Sequence, residues 1–262
     1  QRRENREIVV VQGLGFVGMA VAAVLAGART PAGTPRFFVI GVDLALPSSY
    51  WKVGKISEGK VPFASPDATL DHLVAQGVVA TGNLRATVSD EVYSLADVIV
   101  VDIPLDAQER WVDRPEEIQV GMRSFEEAMK TVGRQMRPDA LVLIETTVPV
   151  GTTEKIAAPI LRNERAQRGI RDPLLLAHAY ERVMPGARYV ASIREFWRSY
   201  AGVDALSAQR AREFLSSFID TSAHPLCELP DTVSSEIAKL LENSYRAANI
   251  ALIHEWALLA EG

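Results

Sequence analysis

Three glycines in VVVQGLGFVGMAVAAVLA (9–26) have a spacing that could serve chemistry: Gly13, Gly15 and Gly18. A β-branched run leads into them and an alanine-rich stretch of helical character follows. In a strand–turn–helix unit, Gly13 allows the tight turn and Gly15 lets the backbone approach a pyrophosphate. Gly18 lets helix and strand pack closely. Phe16 and Val17 complete the turn and count with the glycines as cofactor-binding candidates. Asp43 ends the next apolar run, FFVIGVD (37–43), where a carboxylate accepts the 2′-hydroxyl of an adenosine ribose and repels a 2′-phosphate. The pattern therefore points to NAD rather than NADP. The plain alternative is a structural glycine corner with a strand-end aspartate as a turn residue.

Further polar residues stand at the ends of apolar runs. ETTVPVGTTEKI (145–156) closes a run in hydroxyls, Thr147 among them, and then starts a helix. Simple capping after Gly151 explains the same residues equally well. AYERVMPGARY (179–189) puts Glu181 just beyond another run, where a solvated loop glutamate is the plain reading. Lys239 and Asn243 are spaced i, i+4 and share a helix face, with Arg246 a turn further on. A solvated polar stripe accounts for them as readily as a site does.

The elements that must position these residues follow from hydropathy. Strand-like runs at 8–12, 37–43, 97–104, 140–149 and 174–180 alternate with helical stretches at 16–27, 70–79, 124–136 and 152–169. Short apolar runs separated by helices predict a mostly parallel sheet covered on both faces, hence a doubly wound α/β domain. The segments 207–218 and HPLCEL (224–229) read as a last helix and strand. From Asp231 no Gly or Pro occurs until Gly262, and Ile237, Leu240, Leu241, Ala248, Ile250, Ile253 and Trp256 recur along what reads as one helix. At ~1.5 Å per residue, ~30 residues make a rod of ~45 Å, long for a domain interior and suited to linking domains or to dimerisation.

Composition narrows the function classes. The 262 residues are 48% hydrophobic and 23% charged, with a net charge of −5. No block of Lys or Arg offers nucleic acid a footprint; QRRENR (1–6) and RQMR (134–137) are too short. One cysteine excludes an internal disulfide, and four scattered histidines give no metal-ligand spacing. Both fit a cytoplasmic protein. No apolar run approaches the ~18 to 20 residues that span a bilayer, and no signal peptide is visible. A start at Gln1 rather than Met predicts that the chain is not a whole translation product.

In order along nearly the whole chain, GLGFVG, VIGVD, GKISEGKVPF, ADVIVVDIP, ETTVPVGTTEKI, YERVMPG and SSEIAKLLENSYRAANIALIHE resemble the UDP-glucose/GDP-mannose dehydrogenase family. The last segment is the most specific. The resemblance implies a Rossmann-like NAD-binding domain over 1–230 and a long linking and dimerisation helix from 231 to 262. It also implies a homodimer and a nucleotide-sugar domain that would follow, absent here. The reaction it implies oxidises the C6 alcohol of a nucleotide sugar of UDP-glucose type to the uronic acid. Two hydrides pass to NAD, through a cysteine thiohemiacetal and a thioester. Matched position by position, Thr147 falls on the threonine that helps place a water, and counts as a cofactor-binding candidate too. Glu181 falls on the acid/base glutamate of thioester hydrolysis. Lys239 falls on the oxyanion-stabilising lysine, and Asn243 on its hydrogen-bonding companion.

The chain departs from the family pattern in two places. Ala179-Tyr180 precedes Glu181 where a proline is usual, and Leu105 stands where the family has a cofactor-contacting threonine. The family's catalytic cysteine lies downstream of the long helix, beyond Gly262. Cys227, in an apolar run, is expected to be a buried structural thiol. Two other readings stay open: a two-electron dehydrogenase using Lys239 without a thioester, and a non-catalytic NAD-binding module that dimerises through the long helix.

Overall fold

The computed structural model describes residues 6–107, 120–184 and 186–261. Most of the basic N-terminal segment, Pro185 of YERVMPG and Gly262 lie outside the described residues.

The first half alternates as the hydropathy requires. Strand β1 (Glu7–Gln12) runs into helix α1 (Phe16–Gly27), followed by β2 (Phe37–Val42), α2 (Pro47–Ser57), α3 (Ala68–Ala75), β3 (Leu84–Thr87) and β4 (Val98–Val101). A two-residue antiparallel pair, β5 (Asp106–Ala107) with β6 (Val120–Gly121), precedes α4 (Arg123–Gln135) and β7 (Leu141–Ile144). Next come α5 (Ala158–Gln167), β8 (Leu175–His178), α6 (Tyr189–Arg194), β9 (Ser199–Gly202) and α7 (Ala205–Ser216). The described chain closes with β10 (Cys227–Glu228) and α8 (Thr232–Glu261).

One sheet has the order β10-β9-β8-β7-β4-β1-β2-β3. Every pairing in it is parallel except β8 with β9. The chain runs outward from β1 to β3 and then returns to the other side of β1 as β4. The gap between β1 and β4 is thus the point where an open α/β sheet forms a crevice at its carboxyl edge.

Side-chain alternation splits the core into two layers. Val9, Val11, Val39, Val98, Val100, Leu141 and Leu143 pack beneath α1 and α7. Val10, Ile40, Ile99, Val101, Val142 and Ile144 pack beneath α4 and α5. The fit of α4 is typical: Phe125, Met129, Val132 and Met136, three to four residues apart, are all fully buried.

Several expectations need correction, and the runs at 97–104 and 140–149 form strands only over Val98–Val101 and Leu141–Ile144. The run at 174–180 forms a strand only over Leu175–His178, because the backbone beyond it turns away to present the site loop. HPLCEL contributes only two residues at the sheet edge, both exposed. Cys227 is therefore a free, exposed thiol rather than a buried one, since β10 has β9 on one side and, among the described residues, no strand on the other. Helix α8 is continuous over 30 residues as expected, yet its buried residues are polar: Thr232, Ser235, Glu236 and Lys239. Its apolar residues Leu241, Ile250, Ile253 and Trp256 are all exposed.

Candidate active site

The glycine turn is closed by contacts that tolerate no side chain. Gly13 has φ +96°, and a Cβ there would come within 2.1 Å of the Asp102 carbonyl oxygen. A Cβ on Gly18 would meet the Gly13 carbonyl oxygen at 2.0 Å. Gly15, by contrast, faces open space. It is the N-cap of α1, no side chain caps the helix, and no acidic residue stands in the first turn. The leading N–H groups of α1 are thus available to an anion, with the positive end of the helix dipole behind them. Phe16 is exposed beside this opening and Val17 is half-buried. The turn is braced from below, since the Tyr189 hydroxyl donates to the Phe16 carbonyl at 2.6 Å and Phe63 packs on Phe16 at 4.6 Å. The cradle fits a pyrophosphate.

The same carboxyl edge gathers charged groups from widely separated segments. Lys239 of α8 reaches across to the loop after β8, where its Nζ donates to the Glu181 carbonyl at 2.6 Å and lies 3.4 Å from Glu181 Oε1. The ammonium also stands 5.4 Å from the centre of the Tyr180 ring, a cation–π contact. Glu181 Oε2 accepts from the Val183 N–H. Glu145, just beyond β7, forms a fully buried ion pair with Arg198 at 2.8 Å. Burial pushes the Glu145 carboxyl above its ordinary range, opposed first by the Arg198 guanidinium. Thr146 ties the strand ends together: its hydroxyl accepts from the Ile103 N–H at 3.0 Å. His178, at the end of β8, bonds Ser235 of α8 at 2.8 Å, and burial lowers its pKa to about 4, so its ring is neutral near neutral pH.

Helix α8 is pinned here by Glu236, whose two oxygens accept from the Gly151 and Thr153 N–H groups and the Thr153 hydroxyl. A carboxylate at the start of the 153–167 helical segment meets the positive end of its dipole. The structure thus brings Lys239 and Glu181 together. Thr147 and Asn243 are half-buried, and neither has a hydrogen bond to Lys239 or Glu181 among the described residues. Among the described residues no cluster of His, Cys, Asp or Glu is arranged to hold a metal ion, and no helix is long and apolar enough to cross a membrane.

Residues 7–198 match the UDP-glucose/GDP-mannose dehydrogenase family, NAD binding domain. This chain belongs to that family. Its cofactor is NAD. The chain is 30% identical to the UDP-N-acetyl-D-mannosamine dehydrogenase of Methanocaldococcus jannaschii over 253 residues, which are 97% of this chain and 51% of that protein. It is 29% identical to the NDP-N-acetyl-D-galactosaminuronic acid dehydrogenase of Ralstonia solanacearum, over 97% of this chain and 54% of that protein. The crystal structure of the NDP-N-acetyl-D-galactosaminuronic acid dehydrogenase of Methanosarcina mazei superposes with a TM-score of 0.78 at 28% identity. That match covers 98% of this chain and 51% of the other. The chain spans about half the length of the curated relatives it matches.

With NAD as the cofactor, Asp43 takes on a partner the sequence reading lacked. Its Oδ1 accepts from the Leu44 N–H at 2.8 Å, and its Oδ2 pairs with Lys52 at 3.0 Å. Asp43 is the residue expected from the sequence to accept a ribose hydroxyl, and in that role its ion pair would also hold the Lys52 cation in check. Replacing Asp43 with Ala removes the acceptor and frees Lys52 for a 2′-phosphate. The NAD-over-NADP preference is expected to fall by about tenfold or more, the equivalent of one charge-assisted hydrogen bond. Titration calorimetry with both dinucleotides reads this directly, and an unchanged preference would exclude Asp43 from the ribose site. Lys52, Asp102, Glu145 and Arg198 escaped the sequence reading. For Asp102 and Glu145 a signal existed, a carboxylate ending an apolar run. Arg198 has none.

Proposed function

We propose that this chain is the NAD-binding part of a nucleotide-sugar 6-dehydrogenase whose substrate is a nucleotide-activated N-acetylhexosamine. The observation that carries the reading is the Lys239–Glu181 contact at the carboxyl edge of the sheet, beside the glycine turn's crevice. Oxidising a C6 alcohol requires its proton to be removed and the developing oxyanion to be held by fixed donors. Glu181 is the acid/base group in this reading. Lys239 and Asn243, on one face of a rigid helix, are the donors, and Thr147 helps place the attacking water. NAD, bound on the turn, supplies the hydride acceptor. The acetamido sugar follows from the names of the relatives, which act on UDP-N-acetyl-D-mannosamine or bear the name of an N-acetylgalactosaminuronate. It replaces UDP-glucose as the expected substrate type.

In the same reading, residues 1–230 form the NAD-binding domain and 231–262 begin the linking helix, with the sugar-binding domain following in the continuation of the protein. The exposed Leu241, Ile250, Ile253 and Trp256 support a homodimer through α8, because such a stripe needs covering. The test uses the protein with its native continuation, NAD, and separate UDP-N-acetylhexosamines, UDP-glucose and GDP-mannose. NADH absorbance and product mass are the readouts. The expected result is a uronate from an acetamido sugar, with two NADH formed per product. A preference for UDP-glucose would overturn the substrate class. One NADH per aldehyde product would favour the two-electron dehydrogenase, and no turnover would favour the binding module.

A further inference from the structure

Asp102 is the first residue beyond β4, on the crevice between β1 and β4. Its N–H donates to the Gln12 carbonyl at 2.9 Å, which fixes the backbone beside the end of β1. Its carboxyl lies against the first turn of α1, for a Cβ added to Gly18 would come within 3.0 Å of Asp102 Oδ2. That oxygen is shut off from solvent and has no hydrogen-bond partner. The carboxyl therefore sits directly under the turn on which the dinucleotide's pyrophosphate binds.

The groups around it come from every element packed against this corner. Glu145 follows β7, Glu181 follows β8, Arg198 precedes β9, Tyr189 begins α6, and Lys239 comes from α8. Three carboxyls thus share two cations. Arg198 is held by Glu145 and Lys239 by Glu181, and no ion pair to Asp102 occurs among the described residues. Burial, followed by the negative charges of Glu145 and Glu181, pushes the Asp102 carboxyl well above the usual carboxylate range. The Tyr189 hydroxyl is pushed up to about 12, by burial first and then by Asp102 and Glu181. It gives no proton near neutral pH. Negative charge on the buried, unpartnered Oδ2 is the costly state, and a proton on Asp102 balances the cluster at two negative and two positive charges.

We propose that Asp102 is held as the neutral acid and couples NAD binding on the glycine turn to uptake of a proton. A neutral Asp102 leaves the positive end of α1 free to act on the pyrophosphate. An ionised one places a negative charge against the same turn and opposes the incoming phosphates. By linkage, bound NAD raises the proton affinity of Asp102, and the proton raises the affinity for NAD. The inference rests on NAD occupying the glycine turn.

Calorimetry of NAD binding, in buffers of unlike ionisation enthalpy between about pH 6 and about pH 10, tests it. In the unmodified protein the affinity is expected to be level where Asp102 is already neutral. At higher pH, where the free protein's Asp102 ionises, it is expected to fall by up to about tenfold per pH unit, with proton uptake over that same range. Asp102→Asn keeps the shape and a donor but cannot ionise, so its affinity is expected to lose that slope and its binding to lose the proton uptake. Infrared difference spectra of the cofactor-free protein against Asp102→Asn should show a neutral carboxylic acid band near neutral pH. This second readout does not depend on NAD. Binding of NAD without pH slope or proton uptake, or the same slope in Asp102→Asn, would overturn the proposal while leaving the glycine turn as the cofactor site. So would the absence of the acid band. Failure of the unmodified protein to bind NAD at any pH would overturn both.

Discussion

Lys239→Ala, made in the protein with its native continuation, is expected to lower nucleotide-sugar turnover by about 10²-fold or more, the loss typical of removing one oxyanion donor. The ammonium carries three N–H donors. One goes to the Glu181 carbonyl at 2.6 Å and a second toward Glu181 Oε1 at a longer 3.4 Å. The third remains for an oxygen that gains charge as C6 loses its proton. NAD affinity should be unchanged, because Lys239 is tied to the loop after β8 rather than to the glycine turn. The fold should persist as well, since Glu236 still anchors α8 to Gly151 and Thr153 and Ser235 still bonds His178. Steady-state kinetics beside NAD calorimetry separate these effects. Normal turnover in the alanine variant would remove Lys239 from the chemistry, and a parallel loss of NAD binding would make it a structural residue.

Different physics governs the parts of this protein that the sequence discloses and those it hides. The β1–α1 unit is legible because its signals are local: a β-branched run, three glycines and an alanine-rich helix. Strands β2, β4 and β7 are legible for the same reason, as short runs buried on both faces. Helix α8 is legible in extent but not in orientation. Apolar periodicity normally marks the buried face, yet here Thr232, Ser235, Glu236 and Lys239 face the domain and the apolar stripe faces out. Each inward polar residue has a partner on β8, the loop after it or the start of the 153–167 helical segment, and no pattern within the helix announces those partners. Cys227 misled for a related reason. The apolar letters around it suggest a core strand, whereas an edge strand of two residues buries neither of its side chains. The charged groups beneath the site were the least legible, because Glu145 and Arg198 meet only through the sheet order, 53 residues apart in the chain.

That buried pair sets the largest expected effect on stability. Arg198→Met keeps much of the side-chain volume but strands the Glu145 carboxylate, both partners being almost wholly excluded from water. Breaking a buried pair from one side costs about 3–5 kcal/mol, which for a domain of this size lowers the unfolding midpoint by on the order of 10 °C. The sign of the pH dependence follows from Glu145. Its carboxyl is already raised in the folded protein, and removing Arg198, the first of the influences that lower it, raises it further. A folded-state carboxyl raised above its unfolded value contributes stability below the unfolded value and loses it as pH rises through the folded value. The deficit of Arg198→Met should therefore shrink as pH falls and Glu145 takes up a proton. The double variant Arg198→Met/Glu145→Gln, which removes both charges, should recover much of the loss at neutral pH, because an uncharged amide needs no counter-ion. Urea unfolding of the unmodified protein and both variants across pH measures each term. Equal destabilisation at every pH, or no recovery in the double variant, would mean that Arg198 acts through packing and its 3.3 Å bond to the Ala179 carbonyl rather than through its charge.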